Sequence, residues 1–352
     1  MDRTIDYNPL FAPVTPDEVR TYRVAELATP EGAAQQTVRV ISWVVGGVVI
    51  ATLAVTVLLP LVAITVGVLS GSRTLFDALT ALPAIVMVVV VGVMGLNALK
   101  RNRAAWEQRV RMSRFAAANG LLYARTSTAP SYPGAIFGIG SSRQVTDHFR
   151  TVDGLFLDFG NYAYTTGSGR SRRTHRWGFL AMQLERSLPH MLLDSRANNG
   201  MFGSNLPTAF HREQVLSLEG DFDRFFTLYC PAQYERDALY VFTPDLMALL
   251  IDEAAPFDVE IVDRWLFVYA AQPFPLADPA TYQRLLRIVS TVGAKALSQT
   301  DRYVDERIGV FEANLVAPAG QRLRRGVNWG TVAIIAIFLI IWSSAILSSY
   351  GS

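Results

Sequence analysis

Apolar and polar residues alternate along this chain in two different ways. Residues 40–69 and about 79–99 are apolar runs without a single charge, whereas from residue 121 onward apolar positions come in short groups separated by turn residues. The first run predicts a membrane-spanning helix. Its thirty residues make a straight helix of roughly 45 Å against roughly 30 Å of bilayer hydrocarbon, so it must tilt or kink. Pro60 is the kink point, because it lacks an N–H and its ring clashes one turn back. The second run carries Pro83 in its first turn, where proline costs little. The loop between them holds only Arg73 and Asp77 as charges, and its brevity predicts an antiparallel helical hairpin. A third uncharged run, residues 329–347, has Trp329 and Trp342 within it and Tyr350 just beyond it as interfacial anchors.

Charge sets the expected orientation. Residues 100–125 contain seven Lys or Arg (Lys100, Arg101, Arg103, Arg109, Arg111, Arg114, Arg125) against Glu107 alone, and Arg322, Arg324 and Arg325 precede the third run. The positive-inside rule then places the N-terminus and the large middle domain in the cytoplasm and the C-terminus outside, in a multi-pass protein of the cell membrane. Residues 1–37 carry six acids and three arginines and lack the short apolar core of a signal peptide. They read as a mostly irregular tail, with a short helix capped at Thr15-Pro16-Asp17-Glu18. The expected domains are a polar tail (1–38), a transmembrane hairpin (39–99), a basic juxtamembrane helix (100–120) closed by Asn119-Gly120, a cytosolic domain (121–327) and a third transmembrane helix (328–349).

Within the cytosolic domain, residues 155–164 and 176–184 predict two strands around an arginine-rich hairpin tip. Further strands are expected at 190–193, 214–218, 225–230, 239–242, 259–262 and 265–270. Thr243-Pro244-Asp245 and Asp278-Pro279 each open a helix by an N-cap and a proline at the first position. The second helix buries Tyr282, Leu285, Leu286, Val289, Val292 and Ala296 at helical spacing and extends to about Arg307. The predicted fold class is therefore a membrane protein: three transmembrane α-helices plus a cytosolic α+β domain with a mainly antiparallel sheet.

Composition narrows the chemistry. Apolar residues make up 51% of the chain and charged residues 18%, the net charge is +2, and there are four His and one Cys. A lone Cys230 excludes an intramolecular disulfide and reads as a buried, inert thiol. No His-Glu-x-x-His, Gly-x-Ser-x-Gly or Cys-x-x-Cys motif is present. Gly138-Ile139-Gly140-Ser141-Ser142-Arg143 lacks the Gly-Lys-Ser/Thr end of a phosphate loop and reads as a turn. Glu219, Asp221 and Asp223 around Gly220 are the candidate ligands of a hard cation, against the plainer reading of a solvated turn. His148, His175, His190 and His211 are scattered and read as surface or rim residues. Arg170, Arg172, Arg173 and Arg176 lie within seven residues. They are the candidate anionic-surface binders, against the plainer reading of a solvated loop. No stacking aromatics interleave them, which disfavours nucleic acid. The apolar runs contain no charge of the kind that marks a transport path.

Three segments resemble a family of actinobacterial membrane proteins with no assigned activity: residues 114–121 (Arg-Phe-Ala-Ala-Ala-Asn-Gly-Leu), residues 132–137 (Tyr-Pro-Gly-Ala-Ile-Phe), and Glu219–Asp223 continuing through Tyr229-Cys230-Pro231 to Phe242-Thr243-Pro244-Asp245. The resemblance covers roughly residues 114–270 and the runs before them. It implies paired spans followed by a cytosolic domain, and no catalytic residue. The expected function is an integral membrane protein presenting a non-catalytic binding or scaffold domain at the inner leaflet. The alternatives are a membrane-bound enzyme with an acidic metal-binding turn, or anionic-lipid binding through the arginine tip. No cofactor is expected. Membrane lipid, a protein partner or a second copy docking through the spans are the expected partners.

Overall fold

The computed structural model of the chain describes residues 5–29, 82–200, 203–309 and 313–325, with isolated positions between 46 and 70. The chain divides into two compact units, Tyr7–Phe115 and a second one made of Met1–Asp6 with Ala116–Ser352.

In the first unit, helices α1 (Asn8–Phe11) and α2 (Pro16–Leu27) precede the 37-residue α3 (Leu82–Ala118), which continues into the second unit. The start of α2 is a capping box: Glu18 N–H donates to Thr15 Oγ1, and Thr15 N–H donates to the Glu18 carboxylate at 2.7 Å. Hydrogen bonds from Thr15 hold the Glu18 carboxyl below its ordinary range, and an ion pair with Arg114 adds to this. Arg111 Nε donates to Ala12 O at 3.2 Å and Arg114 Nη1 to Pro13 O at 3.2 Å. Tyr7 stacks on Phe115, and the guanidiniums of Arg109 and Arg23 lie 4.5 and 5.6 Å from the Trp106 ring. Arginines that sequence counting assigns to a membrane flank are thus engaged in holding the N-terminal segment on α3.

This corrects the expected membrane architecture. Among the described residues no helix is long and apolar enough to cross a membrane. The run at 79–99 is not a closed apolar unit. Its helix continues through Lys100, Arg101 and Arg103 into a segment whose Trp106, Val110, Met112 and Phe115 are buried by protein. The runs at 329–347 and, apart from isolated positions, 40–69 lie outside the described residues. The expected three-helix transmembrane fold and multi-pass cell-membrane localisation, with its sidedness, conflict with the structure.

The second unit is an antiparallel sheet of seven strands: β1 (Leu121–Thr128), β2 (Ser141–Thr151), β3 (Leu157–Thr166), β4 (Arg173–Ser195), β5 (Val215–Leu216), β6 (Phe226–Tyr229) and β7 (Asp258–Ala270). Asn119 introduces it as a helix stop, followed by Gly120 at φ 67°. The sheet is organised on β4, which is 23 residues long. Its first half pairs with β3 and its last four residues pair with β6, while β7 runs along the opposite edge from Gly178 to Leu193. Sequence alone divides β4 at Glu185–Pro189 and β7 at Asp263-Arg264. In the structure both breaks are absorbed by register shifts around Leu188, with Asp263 at φ 54°. Pro189 has no N–H to give a ladder and is tolerated at such an irregularity. β1 and β2 were not expected at all.

One face of the sheet packs on helices. α7 (Pro279–Ile288) begins at Asp278, whose carboxylate accepts from Ala280 N–H at 3.0 Å, and a π-helical turn leads from it to α8 (Ala294–Thr300). All six apolar positions expected to face inward are buried, and the Tyr282 ring meets Phe149 and Phe159 edge-on. The helix ends at Thr300, short of Arg307. Between β6 and β7 lie α5 (Glu235–Val241), where a strand is expected, and α6 (Pro244–Leu249). Thr243 precedes α6 without making a side-chain cap. A four-residue helix, α4 (Phe222–Phe225), precedes β6, and α9 (Pro318–Gln321) follows α8.

The other face is covered by residues 129–140, which set Ile136 and Phe137 into a cluster with Val145, Tyr162, Trp177, Phe179, Phe267 and Tyr269. Phe137 meets Phe179 edge-on at 5.5 Å between ring centres.

Candidate functional site

Beneath the 129–140 segment, the strands bury titratable groups in hydrogen-bonded series. β-strand alternation puts His148 of β2 and Asp158 of β3 on the covered face, and a register shift between Thr146 and Phe149 brings them together. Gly160 permits the approach, because a Cβ there meets Asp147 O at 3.1 Å. His148 Nε2 lies 2.5 Å from Asp158 Oδ1 and its Nδ1 lies 2.7 Å from Ser127 Oγ. Tyr132 donates to Asp158 Oδ2 at 2.5 Å. Burial, then the Asp158 charge, raises the Tyr132 hydroxyl well above its ordinary range.

A second series is built on Glu260 of β7. His190 Nδ1 accepts the Leu323 N–H at 3.0 Å, so the proton sits on Nε2, which donates to Glu260 Oε1 at 2.6 Å. Glu260 Oε2 accepts Tyr269 OH at 2.7 Å and Ala135 N–H at 2.7 Å. A third lies beside it. Asp258 accepts from Ser195 N–H at 2.8 Å and from Asn198 Nδ2 at 2.7 Å, and Asn198 Oδ1 accepts Ala271 N–H at 2.9 Å. Burial, then the neighbouring Asp194, pushes the Asp258 carboxyl up to about 7, and burial raises Asp194 as well.

Sequence reasoning missed these series. His148 and His190 are not surface or rim residues; both are buried against carboxylates. Their partners lie 10 and 70 positions away. The one legible signal is Asp158 and Glu260, each a carboxylate inside an otherwise apolar strand.

The acidic turn is arranged differently. Asp223 accepts from Ser217 Oγ and from Leu218 N–H at 3.2 Å, Asp221 pairs with Arg224 at 3.3 Å, and Glu219 is exposed. Among the described residues, no group of three or more His, Cys, Asp or Glu is placed to hold a metal ion. Arg170 lies in a single 3-10 turn, Gly169–Ser171, held by Ser168 and Ser171 to each other. Arg170, Arg172, Arg173 and Arg176 are all exposed. His175 is half-buried, stacked on Tyr164 with its Nε2 2.8 Å from Thr166 Oγ1. Cys230 is buried, and burial, then the Glu235 and Asp237 charges, push its thiol up to about 12, which disfavours the thiolate.

Among the described residues, two of the concavities bear on function. A groove of about 800 Å³ is walled by Gln233, Arg236, Tyr240, Arg302, Glu306 and Arg307. Behind it Asp305 accepts from Tyr234 OH at 2.7 Å, Ala317 N–H at 2.8 Å and Arg307 N–H at 3.0 Å. Burial alone would raise this carboxyl, but those donors hold it below its ordinary range. The Arg307 guanidinium lies 3.8 Å from the Tyr234 ring centre. A second cavity of about 490 Å³ is lined by Thr174, His175, Arg176 and Trp177 with Asn205, Ala271, Gln272 and Pro273.

No known protein family and no curated protein matches the chain. Among solved structures, a match is the crystal structure of the mycobacterial trehalose monomycolate transport factor A, TtfA. It is 11% identical, with a TM-score of 0.35, over 52% of this chain and 91% of that one. At that score the likeness carries no argument about this chain.

Proposed function

We propose that this chain is a non-catalytic binding or scaffold module. The observation that carries the reading is the separation of the two buried histidine–carboxylate pairs from the open concavities. Asp158, Glu260, His148 and His190 are buried and bonded to one another or to neighbouring donors. The walls of the open groove are ionic and aromatic side chains of both signs, suited to holding a polar ligand or a charged peptide. Ser127, His148 and Asp158 do stand in the order of a nucleophile, a base and an orienting carboxylate. Yet Ser127 lines neither concavity, and its strand lacks the sharp strand-to-helix turn that exposes a serine nucleophile.

The test uses the purified full chain. Mixed-charge peptides and small polar ligands are screened by thermal shift. At least one class is expected to raise the melting temperature in the wild type and not in Arg236→Ala/Arg302→Ala. Covalent labelling by a fluorophosphonate probe that disappears in Ser127→Ala would replace the binding reading with a hydrolytic one.

A further inference from the structure

We infer that the hairpin end of the sheet is a binding site for a phosphate-bearing ligand, centred on the cavity at Thr174–Trp177. The inference rests on the binding-module reading and names one ligand class for it.

Three observations converge. The first is charge without compensation. Arg143, Arg170, Arg172, Arg173 and Arg176 are exposed, and among the described residues none of the five makes an ion pair. No Asp or Glu occurs in residues 136–146, 159–183, 203–211 or 265–277, which include every residue lining the cavity. A chain with 30 acids and 32 basic residues is otherwise nearly balanced, so these five exposed arginines without ion pairs stand out as a local excess of positive charge.

The second is main-chain geometry. β7 ends at Ala270, opposite Gly178, and the Gly178 N–H donates to Gln272 O at 3.0 Å. N–H groups two residues apart project from the same edge of a strand, so those of Arg176 and Thr174 continue that edge beyond the last β7 pair. Both residues line the cavity. Among the described residues no acceptor meets these two N–H groups from the β7 side. Adjacent main-chain donors beside arginines form an anion-binding concavity.

The third is the remaining wall. His175 has Nε2 engaged by Thr166, and Gln272 also lines the cavity, its side chain making no hydrogen bond among the described residues. Trp177 and Pro273 add apolar surface, and none of the residues lining the cavity is Asp or Glu.

A phosphoryl group fits this donor set. The source is either a free oligophosphate or a lipid headgroup, and the experiment separates them. The full chain is titrated with tripolyphosphate by calorimetry and, in a second arm, sedimented with phosphatidylglycerol vesicles. Each is compared with Arg172→Gln/Arg173→Gln/Arg176→Gln and with Arg20→Gln, a control at an exposed position of α2 that lines neither cavity. The triple variant is expected to weaken binding roughly tenfold or more. Raising salt from about 50 to about 200 mM should weaken the wild type several-fold. The Arg20→Gln control is expected to match the wild type. Binding of tripolyphosphate assigns a free oligophosphate, and binding of vesicles alone assigns a headgroup. Binding of neither, or equal binding by the triple variant, overturns the site while leaving the module reading intact; Ser127-dependent labelling overturns that reading instead.

Discussion

At the scale of single residues, the covered face of the sheet is decided by how each buried carboxylate is satisfied. Asp158 is fully buried and accepts from Tyr132 while facing His148. Replacing it by Asn keeps the volume and removes the charge that both neighbours are built around. Breaking a buried pair from one side costs more than the pair contributes, so Asp158→Asn should lose roughly 2 to 4 kcal/mol in denaturant unfolding. Asp221→Asn, in the exposed turn, should be indistinguishable from wild type in the same assay. Asp258 gives a pH signature. Its carboxyl stands at about 7 in the folded chain against 3.8 as the ordinary value. Between those values the folded state keeps a proton that the unfolded chain has lost, so stability falls as pH rises from about 4 to about 7, then levels off. The slope is on the order of 1 kcal/mol per pH unit. Asp258→Asn should flatten it, and parallel stability profiles for the two proteins across that window would refute the assignment.

Elements are held where side chains clamp main chain across them. Asn161 of β3 donates from Nδ2 to Phe274 O at 3.1 Å and accepts Phe274 N–H on Oδ1 at 2.6 Å, fastening the segment after β7. Asn161→Ala leaves two main-chain groups without partners and should destabilise by about 1 to 3 kcal/mol in thermal or chemical melts. The 129–140 segment is fastened by Tyr132 and Ala135, and it passes so near β7 that a Cβ on Gly134 would collide with the Tyr269 hydroxyl. Gly134→Ala should therefore cost about 1 to 3 kcal/mol by overpacking, with near-ultraviolet circular dichroism reporting the displaced tyrosine. The helix pattern of residues 279–300 was legible beforehand because its inward positions follow one period and Asp278-Pro279 marks its start. β1 and β2 were not. Their faces mix half-buried polar and apolar residues, and the glycines before β2 read as a turn.

For the whole molecule, the two units are each consolidated by their own contacts. In Tyr7–Phe115, α2 is tied to α3 by Glu18–Arg114 and by arginine bonds to Ala12 and Pro13. Arg114→Ala should raise amide hydrogen exchange within residues 16–27 and leave β3 and β4 unchanged, since those strands belong to the other unit. Equal acceleration in both would show that the arginine supports the sheet too. The membrane architecture expected from uninterrupted apolar length failed at this scale. Counting apolar residues reports solvent preference; the charged continuation of α3 over residues 100–120 was expected, but not that its arginines and Trp106 hold the N-terminal helices.

The sequence by itself determined what short-range chemistry controls: the capped starts of α2 and α7, the inward stripe of residues 282–296, the stop at Asn119-Gly120, and the arginines of the β3–β4 turn. Each follows from residues within a few positions of one another. Only the tertiary structure decided that β4 is one strand through Pro189, that His148 and His190 are buried against Asp158 and Glu260, and that the open edge at Thr174–Arg176 adjoins those arginines. The reason is physical. Pairing across a sheet joins residues by register and twist rather than by nearness in sequence, and a buried carboxylate's partner is whatever donor the neighbouring strand brings to it.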